Sequence, residues 1–384
     1  MEQTVIYWGC RRRLTWSLNI TMPCAGLSRM MKERINRLNK ILGELRLEGI
    51  LLSSPENLRY ITGFTGSDGL ALITSEDKFF LTDSRYTTQA EEEVRDFAIE
   101  EYKIKPKGIV DKIKSLNIER LGFEAEHMSF DFYRRINKEL PNQGLIPLSR
   151  ELKPLRSIKE KGELELIAAA VRIASESLSS VLNEIKPGVK EKSISLKLEY
   201  LMKKKGADKV AFDIIVASGK RSALPHGVAS EKELETGDFV IIDFGISYRG
   251  YHSDETCTLV IGKASKEQKK VYQTVKDAHD KAIDAIKPGV KFSKIDFIAR
   301  NYIEKAGYGN FFGHGLGHGV GLTTHEEPSL SPLSDGIIEA GMVFTVEPGI
   351  YIPHWGGVRI EDMVLSTKEG CNVMTFLPKK LQII

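Results

Sequence analysis

The chain has 384 residues, with 55 lysines and arginines against 52 aspartates and glutamates, and its formal net charge is +3. Four arginines and one glutamate fall within residues 1–30, so the rest of the chain is neutral and lacks the basic surface that nucleic acid or an anionic membrane would bind. No apolar run approaches the roughly 18 residues of a membrane-spanning helix, and the four cysteines form no C-x-x-C pair, so we expect a cytoplasmic protein without structural disulfides or a membrane partner.

Residues 1–30 show neither helical nor strand periodicity. They lack the continuous apolar segment of a secretory signal, because an arginine triplet interrupts the apolar stretch. Met30 and Met31 stand directly before an amphipathic helical pattern, as a start codon would. We predict that residues 1–30 are an extension that is disordered or translated from a misassigned start. An organellar transit peptide is the open alternative, because the segment is poor in acids.

Residues 31–152 predict a small α/β domain. Apolar residues recur at spacings of three and four from Ile35 to Leu45, which is typical of a helix. The β-rich runs GILLSS, NLRYITGF, LALIT, KFFLTD and FAIEEYK predict strands. Helical patterns near 87–95 and 107–116 complete the domain.

A second domain is predicted for residues 153–384. Pro154 can continue neither a helix nor a strand ladder, which indicates a boundary. Ser157-x-x-Glu160 has the form of a capping box, and it precedes a long amphipathic helix that ends at Pro187.

The second domain contains an internal repeat. The sequence IKPGVK begins at Ile185 and again at Ile286, and each copy is followed at the same distance by a glycine, Gly206 or Gly307. Two copies about 100 residues apart do not make a repeat array. We therefore predict two related halves packed about a shared centre.

Four acids lie inside apolar, strand-like runs. They are Asp243 in FVIIDFG, Asp254 in YHSDETCTLVI, Glu347 in MVFTVEPGIYI and Glu361 in GVRIEDMVL. Ionised carboxylates are almost never fully buried unless they are paired or bind a metal. The competing interpretation is that each acid faces solvent at the edge of an amphipathic strand.

Hairpin geometry favours a cation site. A hairpin that turns at residues 247–250 places Asp243 opposite Asp254, and a hairpin that turns about His354 places the two glutamates opposite each other. Opposed like charges are destabilising, so two such hairpins indicate a cation between them.

An imidazole ligand is available nearby. Three of the eight histidines, His314, His318 and His325, fall within the glycine-rich segment FGHGLGHGVGLTTHEEP. Oxygen-dominated ligation with one imidazole suits Mn, Co, Fe or Zn. Four carboxylates exceed the needs of one ion, and they match a pair of ions that activates water for hydrolysis.

The motifs VIIDFG, SDETCT, HGLGHGVG, TVEPGIYI and VRIEDMVL, preceded by ASGKRSALPHG, resemble those of the pita-bread metallopeptidases. NLRYITGFTGS and LTDSRY resemble the creatinase-type N-terminal domain of Xaa-Pro aminopeptidases and prolidases. The resemblance implies an α+β fold: a six-stranded pita-bread catalytic domain with pseudo-twofold halves, preceded by the smaller α/β domain.

The resemblance also implies residue roles and cofactors. Two divalent ions are implied, with Mn²⁺ first and Co²⁺, Zn²⁺ or Fe²⁺ as alternatives. The implied ligands are Asp243, Asp254, His318, Glu347 and Glu361, and the implied catalytic and substrate residues are Glu347, His226, His314, His325 and Arg359. One departure is visible, because Glu255 and Cys257 stand where the family commonly has isoleucine and arginine.

The implied function is that of an Xaa-Pro aminopeptidase, which hydrolyses the bond before a proline at the second position of short peptides. The alternative is an Xaa-Pro dipeptidase (prolidase), which must also hold the free carboxylate of the dipeptide. Methionine aminopeptidase typically lacks the N-terminal domain, and non-catalytic pita-bread proteins lose some of the five ligands. The resemblance also implies a homodimer.

Overall fold

The computed structural model of the protein describes residues 24–384, with side chains from residue 31 onward. Residues 1–23 of the predicted extension lie outside the described part. Helix α1 comprises Cys24–Leu45, so the helix predicted from Met31 begins earlier and includes the end of that extension. The earlier start agrees with the high helix propensity of alanine, leucine, methionine and arginine in this stretch.

The chain divides into two compact units between Arg156 and Ser157. The elements of the N-terminal unit, in chain order, are α1, β1 (Gly49–Leu52), α2 (Pro55–Thr62), β2 (Leu70–Ile73), β3 (Lys78–Thr82), α3 (Thr87–Glu93), β4 (Ala98–Glu101), α4 (Lys105–Ser115), β5 (Arg120–Glu124), α5 (Phe130–Glu139) and β6 (Gly144–Leu148). They form one six-stranded mixed sheet in the order β4-β3-β2-β1-β5-β6, with an apolar core between sheet and helices.

One predicted strand of this unit is wrong. NLRYITGF lies mostly in helix α2, which begins at Pro55 and ends before Gly63. The Ser54 hydroxyl accepts a hydrogen bond from the Asn57 N–H, and Pro55 occupies the first turn, where its missing N–H costs nothing. The cap therefore outweighs the β propensity of tyrosine and isoleucine.

The C-terminal unit contains four longer helices and many short strands. They are α6 (Lys161–Val181), α7 (Glu191–Lys204), β7 (Lys209–Val210), β8 (Ile215–Ser218), β9 (Phe239–Phe244), β10 (Ile246–Tyr248), β11 (Tyr251–His252), β12 (Glu255–Val260), α8 (Lys266–Asp284), α9 (Phe292–Lys305), β13 (Gly317–Gly319), β14 (Glu326–Leu330), β15 (Val343–Val346), β16 (Gly349–Ile352), β17 (Gly356–Arg359), β18 (Asp362–Ser366), β19 (Cys371–Val373) and β20 (Gln382–Ile383). Of the helices in the described range, none has an apolar stretch long enough to cross a membrane.

The predicted capping box at the start of α6 is displaced by three residues. The structure has a capping box between Glu160 and Glu163, and the helix begins at Lys161. Ser157 cannot act as the cap, because the next residue, Ile158, is drawn into an antiparallel bridge with Met342.

The internal repeat corresponds to two similar halves. In the first, α6 and α7 pack on β8, β9 and β12 around one apolar core; in the second, α8 and α9 pack on β15 and β18 around another. Gly188 and Gly289, the glycines of the two IKPGVK copies, have φ of 83° and 84°. Their amides donate to the equivalent carbonyls of Leu234 and Ile338.

The strands of the catalytic domain are divided between separate sheets, one for each half. One half contributes a four-stranded sheet, β20-β12-β9-β8, and the other a five-stranded sheet, β14-β13-β15-β18-β19. Each half also carries a hairpin that leaves its sheet: β10 and β11 in the first half, and β16 and β17 in the second. Pro348 lies where the second hairpin leaves, and it has no N–H to continue the ladder. Gly245 lies where the first leaves, so close to Ser253 that a Cβ would contact the Ser253 carbonyl oxygen. The two sheets thus meet at the cavity that holds the predicted site.

Candidate metal centre

The first hairpin places Asp243 near the end of β9 and Asp254 directly before β12. The predicted register is wrong by two residues: Asp243 pairs with Thr256, and the same register leaves Asp254 opposite Gly245. The cause is a tight turn at Arg249-Gly250, where both residues have positive φ. Because side chains alternate with a period of two, a two-residue shift keeps both aspartates on the same face.

The second hairpin has the predicted register. Val346 pairs with Asp362 on one side of the two glutamates, and Gly349 pairs with Arg359 on the other. Glu347 and Glu361 therefore occupy opposite positions between these pairs. The turn contains His354 at a φ of 64°.

His318 completes the cluster from β13. Its Nε2 lies 3.3 Å from Oε1 of Glu347 and 3.6 Å from Oδ2 of Asp254. Asp254, His318 and Glu361 each offer one ligand atom, and these atoms lie within 4.8 Å of one another. The Thr345 hydroxyl accepts from the backbone N–H of His318 and donates to Glu347, so it holds the His318 backbone beside the Glu347 side chain.

Two carboxylate oxygens in this cluster are buried without a hydrogen-bond partner in the described part of the chain. In Asp243, Oδ2 accepts from Arg359 at 2.5 Å, while Oδ1 is one of these two atoms. In Glu361, Oε2 accepts from Thr256 at 2.6 Å, while Oε1 is the other. Buried polar atoms are normally satisfied, so these orphaned oxygens beside an imidazole fit a divalent metal ion.

The electrostatics agree with this interpretation. Burial raises the pKa of Asp254 well above its usual range, and neighbouring carboxylates, Glu361 first, raise it further. Burial and the charges of Glu347 and Asp243 likewise raise the pKa of Glu361. Repulsion of this kind disappears when a cation lies between the carboxylates.

Glu347 and His318 shift each other in opposite directions. Burial alone would raise the pKa of Glu347, but the hydrogen bond and charge of His318 lower it to about 2. Burial alone would lower the pKa of His318, but Glu347 raises it. The lowered pKa keeps Glu347 ionised at neutral pH.

Arg359 and His314 are joined through a residue that the sequence did not indicate. Arg359 Nη1 donates to the Tyr351 hydroxyl at 2.8 Å, and that oxygen lies 3.1 Å from His314 Nε2. His314 Nδ1 lies 2.8 Å from the Gly315 carbonyl, which can only accept. Nδ1 therefore carries the proton in the neutral ring, and Nε2 accepts from Tyr351. Burial lowers the pKa of His314, which favours that neutral form.

The predicted residues line one cavity of about 550 Å³. Its lining includes His226, His314, His318, His325, Asp243, Asp254, Glu347, Arg359 and Glu361. The ring centroids of His318 and His325 are 4.1 Å apart, and burial, followed by the charge of His318, lowers the pKa of His325. The structure thus brings every predicted site residue to one place.

Glu255 and Cys257, which stand where the family commonly has isoleucine and arginine, face away from this cavity. Both side chains lie on the opposite face of β12 from Thr256, and both are buried. Glu255 pairs at 2.6 Å with Lys379, a residue the sequence did not single out. Cys257 is a free thiol. In the sequence, Tyr351 is indicated only by strand alternation, since it stands an even number of residues after Glu347 in a strand-like run. No sequence pattern indicates Lys379.

Two family models match the chain. The model of metallopeptidase family M24 matches residues 165–368, and that of the creatinase/prolidase N-terminal domain matches residues 34–158. Together they account for both units.

Three relatives illustrate the similarity. An Xaa-Pro dipeptidase of Pyrococcus furiosus is 39% identical over 351 residues, which span 91% of this chain and 100% of the relative. The structure of an Xaa-Pro dipeptidase from Bacillus anthracis has 42% identity and a TM-score of 0.90, covering 92% of this chain and 100% of that one. An X-Pro aminopeptidase from Thermotoga maritima has 39% identity and a TM-score of 0.84, covering 91% and 99%. With its carboxylate and histidine cavity, the chain therefore belongs to metallopeptidase family M24, and it joins a pita-bread catalytic domain to a creatinase-type N-terminal domain.

Proposed function

We propose that this protein is a metal-dependent Xaa-Pro dipeptidase, which hydrolyses the peptide bond before proline in a dipeptide. The observation that carries the proposal is the convergence of four buried carboxylates and an imidazole on one cavity. Relatives from Pyrococcus furiosus and Bacillus anthracis that are named Xaa-Pro dipeptidase support the dipeptide substrate. The sequence analysis favoured an Xaa-Pro aminopeptidase and gave the dipeptidase as the alternative. These relatives support the dipeptidase better.

We assign five residues to two divalent ions, with Mn²⁺ as the first choice. They are Asp243, Asp254, His318, Glu347 and Glu361. Oxygen ligands with one imidazole suit Mn²⁺, and the orphaned oxygens of Asp243 and Glu361 are available for coordination. When bound, such ions supply Lewis-acid activation of water and of the scissile carbonyl.

Glu347 is assigned to hold the proton that the attacking water loses. Thr345 and His318 keep its carboxylate oriented toward the cavity. Delivery of that proton to the proline nitrogen would complete the cleavage, since this tertiary amide nitrogen leaves as a secondary amine.

Two of the three remaining imidazoles are assigned to the substrate. The Nε2 atom of His314 is engaged by Tyr351, so we assign contacts with the scissile carbonyl and the dipeptide carboxylate to His226 and His325. Arg359 holds Asp243 and Tyr351 in place and is itself almost fully buried, so it acts on the site through these partners.

The second candidate is an Xaa-Pro aminopeptidase, which the Thermotoga maritima relative favours. The two activities differ in the group on the C-terminal side of the proline. A dipeptidase needs a free carboxylate there, whereas an aminopeptidase accepts a further peptide bond.

Cleavage assays with Mn²⁺ distinguish these activities. Ala-Pro, Ala-Pro-Ala and Met-Ala-Ser are incubated separately with the purified protein, and the products are separated by chromatography. We expect cleavage of Ala-Pro alone. Cleavage of Ala-Pro-Ala before proline would instead establish the aminopeptidase, and inertness toward all three peptides would refute both candidates.

A further inference from the structure

A buried ammonium group lies behind the proposed metal ligands. Lys379 Nζ lies 2.6 Å from Oε1 of Glu255 and 3.3 Å from Oδ1 of Asp362. The side chains of these three residues are only 9%, 2% and 5% exposed. Such an arrangement is costly to assemble and is strongly destabilised when one charge is removed.

The two acids that contact Lys379 each follow a proposed metal ligand in the chain. Glu255 comes directly after Asp254, and Asp362 comes directly after Glu361. Adjacent residues of an extended segment point to opposite faces, so the ligands face the cavity while the acids face Lys379. One ammonium group therefore links β12 and β18, strands of different sheets that each begin directly after a proposed ligand.

The other contacts of the two acids hold them at the same place. The Ser175 hydroxyl of α6 donates to Glu255 at 2.5 Å. The Thr375 hydroxyl donates to Asp362, and His279 Nε2 lies 3.2 Å from the second oxygen of that carboxylate. Lys379 is the group that these two sets of contacts share.

The segment that carries Lys379 is itself anchored. Strand β20 pairs in parallel with β12, and the Ile384 N–H donates to the Val260 carbonyl. The Tyr272 hydroxyl donates to the Lys379 carbonyl. The backbone of Lys379 is thus held by Tyr272, and the residues that follow it are held against β12.

We propose that Lys379 is a positioning residue for the metal site, which ties the backbone of Asp254 to the backbone of Glu361 and so sets the spacing of these two ligands. The inference rests on the proposed metal-dependent function. It also explains how the chain accommodates Glu255 and Cys257 in the motif SDETCT, since the cation comes from a distant segment.

Two effects of removing the ammonium have opposite signs. By charge alone, losing a positive group near the site would strengthen the binding of a divalent cation. If Lys379 sets the ligand spacing, its loss would weaken that binding, typically by about 10- to 100-fold for a residue that supports a metal ligand. The sign of the change separates positioning from simple charge.

The first test is Lys379→Met, with Lys380→Met as the matched control because Lys380 is exposed and adjacent. Isothermal titration of Mn²⁺ into the chelator-stripped full chain measures affinity, and Ala-Pro hydrolysis measures kcat and KM below the melting temperature. We expect Mn²⁺ affinity and kcat to fall about tenfold or more in Lys379→Met, with KM little changed and with the control like wild type. Unchanged or tighter Mn²⁺ binding would overturn the proposal.

The second test is the charge-balanced variant Glu255→Gln/Lys379→Met, which keeps the inference testable if the single variant does not fold. It removes one positive and one negative group, while Asp362 retains Thr375 and His279. Because the Lys379 link between the two ligand segments is still lost, and only direct contacts such as that of the Glu361 N–H with the Thr256 carbonyl remain, we expect weakened Mn²⁺ binding at unchanged net charge. Wild-type affinity in a folded double variant, verified by circular dichroism, would refute positioning.

The outcomes separate this inference from the proposed peptidase function. If wild type binds Mn²⁺ but cleaves no Xaa-Pro peptide, and Lys379→Met binds it more weakly, the substrate proposal fails and positioning stands. If wild type cleaves Ala-Pro, and Lys379→Met equals it in affinity and kcat, positioning fails and the function stands.

Discussion

Two buried glutamates of the C-terminal unit contrast sharply. Glu191, at the start of α7, and Glu361, between β17 and β18, are 0% and 1% exposed. Glu191 accepts five hydrogen bonds: two each from Ser218 and Ser230, and one from Arg221. Burial alone would raise its pKa, but these hydrogen bonds lower it.

Glu361 has one hydrogen-bond donor among the described residues and several like charges around it. Thr256 donates to one oxygen, the other oxygen is orphaned, and burial and the neighbouring acids raise its pKa well above the usual range. Burial therefore does not distinguish a structural carboxylate from a functional one. The number of donors that satisfy it does, because an unsatisfied carboxylate retains the capacity to bind a ligand.

The largest expected effect is on activity at the unsatisfied cluster. Asp254→Asn removes one charge and one proposed metal ligand, so kcat/KM for Ala-Pro should fall more than about 100-fold. The metal-free variant should melt no lower than metal-free wild type, because repulsion among the carboxylates is relieved. Kinetics and calorimetry measure the two effects.

The exposed acid Asp335 provides the control for that comparison. Asp335→Asn should leave both measurements unchanged. An Asp254→Asn protein with wild-type kcat/KM would contradict the ligand assignment.

At the satisfied cluster the expected effect is on stability. Glu191→Gln leaves its donors mismatched, which should lower the free energy of unfolding by about 2–4 kcal/mol in urea titrations. Glu191 also holds both ends of the segment 218–230, which carries His226, so the substitution should have some effect on activity. We expect kcat/KM to stay within about tenfold of wild type. Glu199→Gln, at a partly exposed position of the same helix, should change stability by less than about 0.5 kcal/mol. Equal losses of stability in Glu191→Gln and Glu199→Gln would contradict the structural role assigned to Glu191.

Removing metal should act on one cluster only. Treatment with EDTA should lower the melting temperature of wild type, and Mn²⁺ at about 100 times its Kd should restore about 2.7 kcal/mol. Glu191→Gln should show the same Mn²⁺-dependent shift, whereas Asp254→Asn should show little. A full shift in Asp254→Asn would exclude that residue as a ligand.

The pH dependence of stability should follow Glu191. Its folded pKa lies below its unfolded value of about 4.3, so its stabilising contribution is complete above that value and is lost as pH falls through the folded pKa. Urea titrations from pH 6 to about pH 3 should therefore show the gap between wild type and Glu191→Gln narrowing. A gap that widens toward low pH would reverse the assigned sign.

The smallest expected effect concerns the link between Arg359 and His314. Tyr351→Phe removes the hydroxyl that accepts from Arg359 and donates to His314, so kcat for Ala-Pro should fall about tenfold or less, with Mn²⁺ affinity retained. Tyr200→Phe, at an exposed position of α7, is the control. Loss of Mn²⁺ binding in Tyr351→Phe would place the tyrosine in the metal site itself.

Local patterns predicted much of the fold, and their failures have local causes as well. The register of the second hairpin is correct because its turn is centred on His354, as predicted. The predicted register of the first hairpin is wrong because the tight turn at Arg249-Gly250 needs positive φ at both residues. Arginine seldom adopts positive φ, so its presence does not predict such a turn. The helix at Pro55 was missed although its capping serine precedes it in the chain.

The sequence by itself determined which residue types could form the site, their order along the chain and the face of each strand that they occupy, because strand alternation and turn chemistry are local properties. Only the tertiary structure decided which charges meet. Arg359 reaches Asp243 across 116 residues of chain, and Lys379 reaches Glu255 across 124. Such contacts depend on how sheets and tail pack, and no local pattern encodes the distance between segments so far apart.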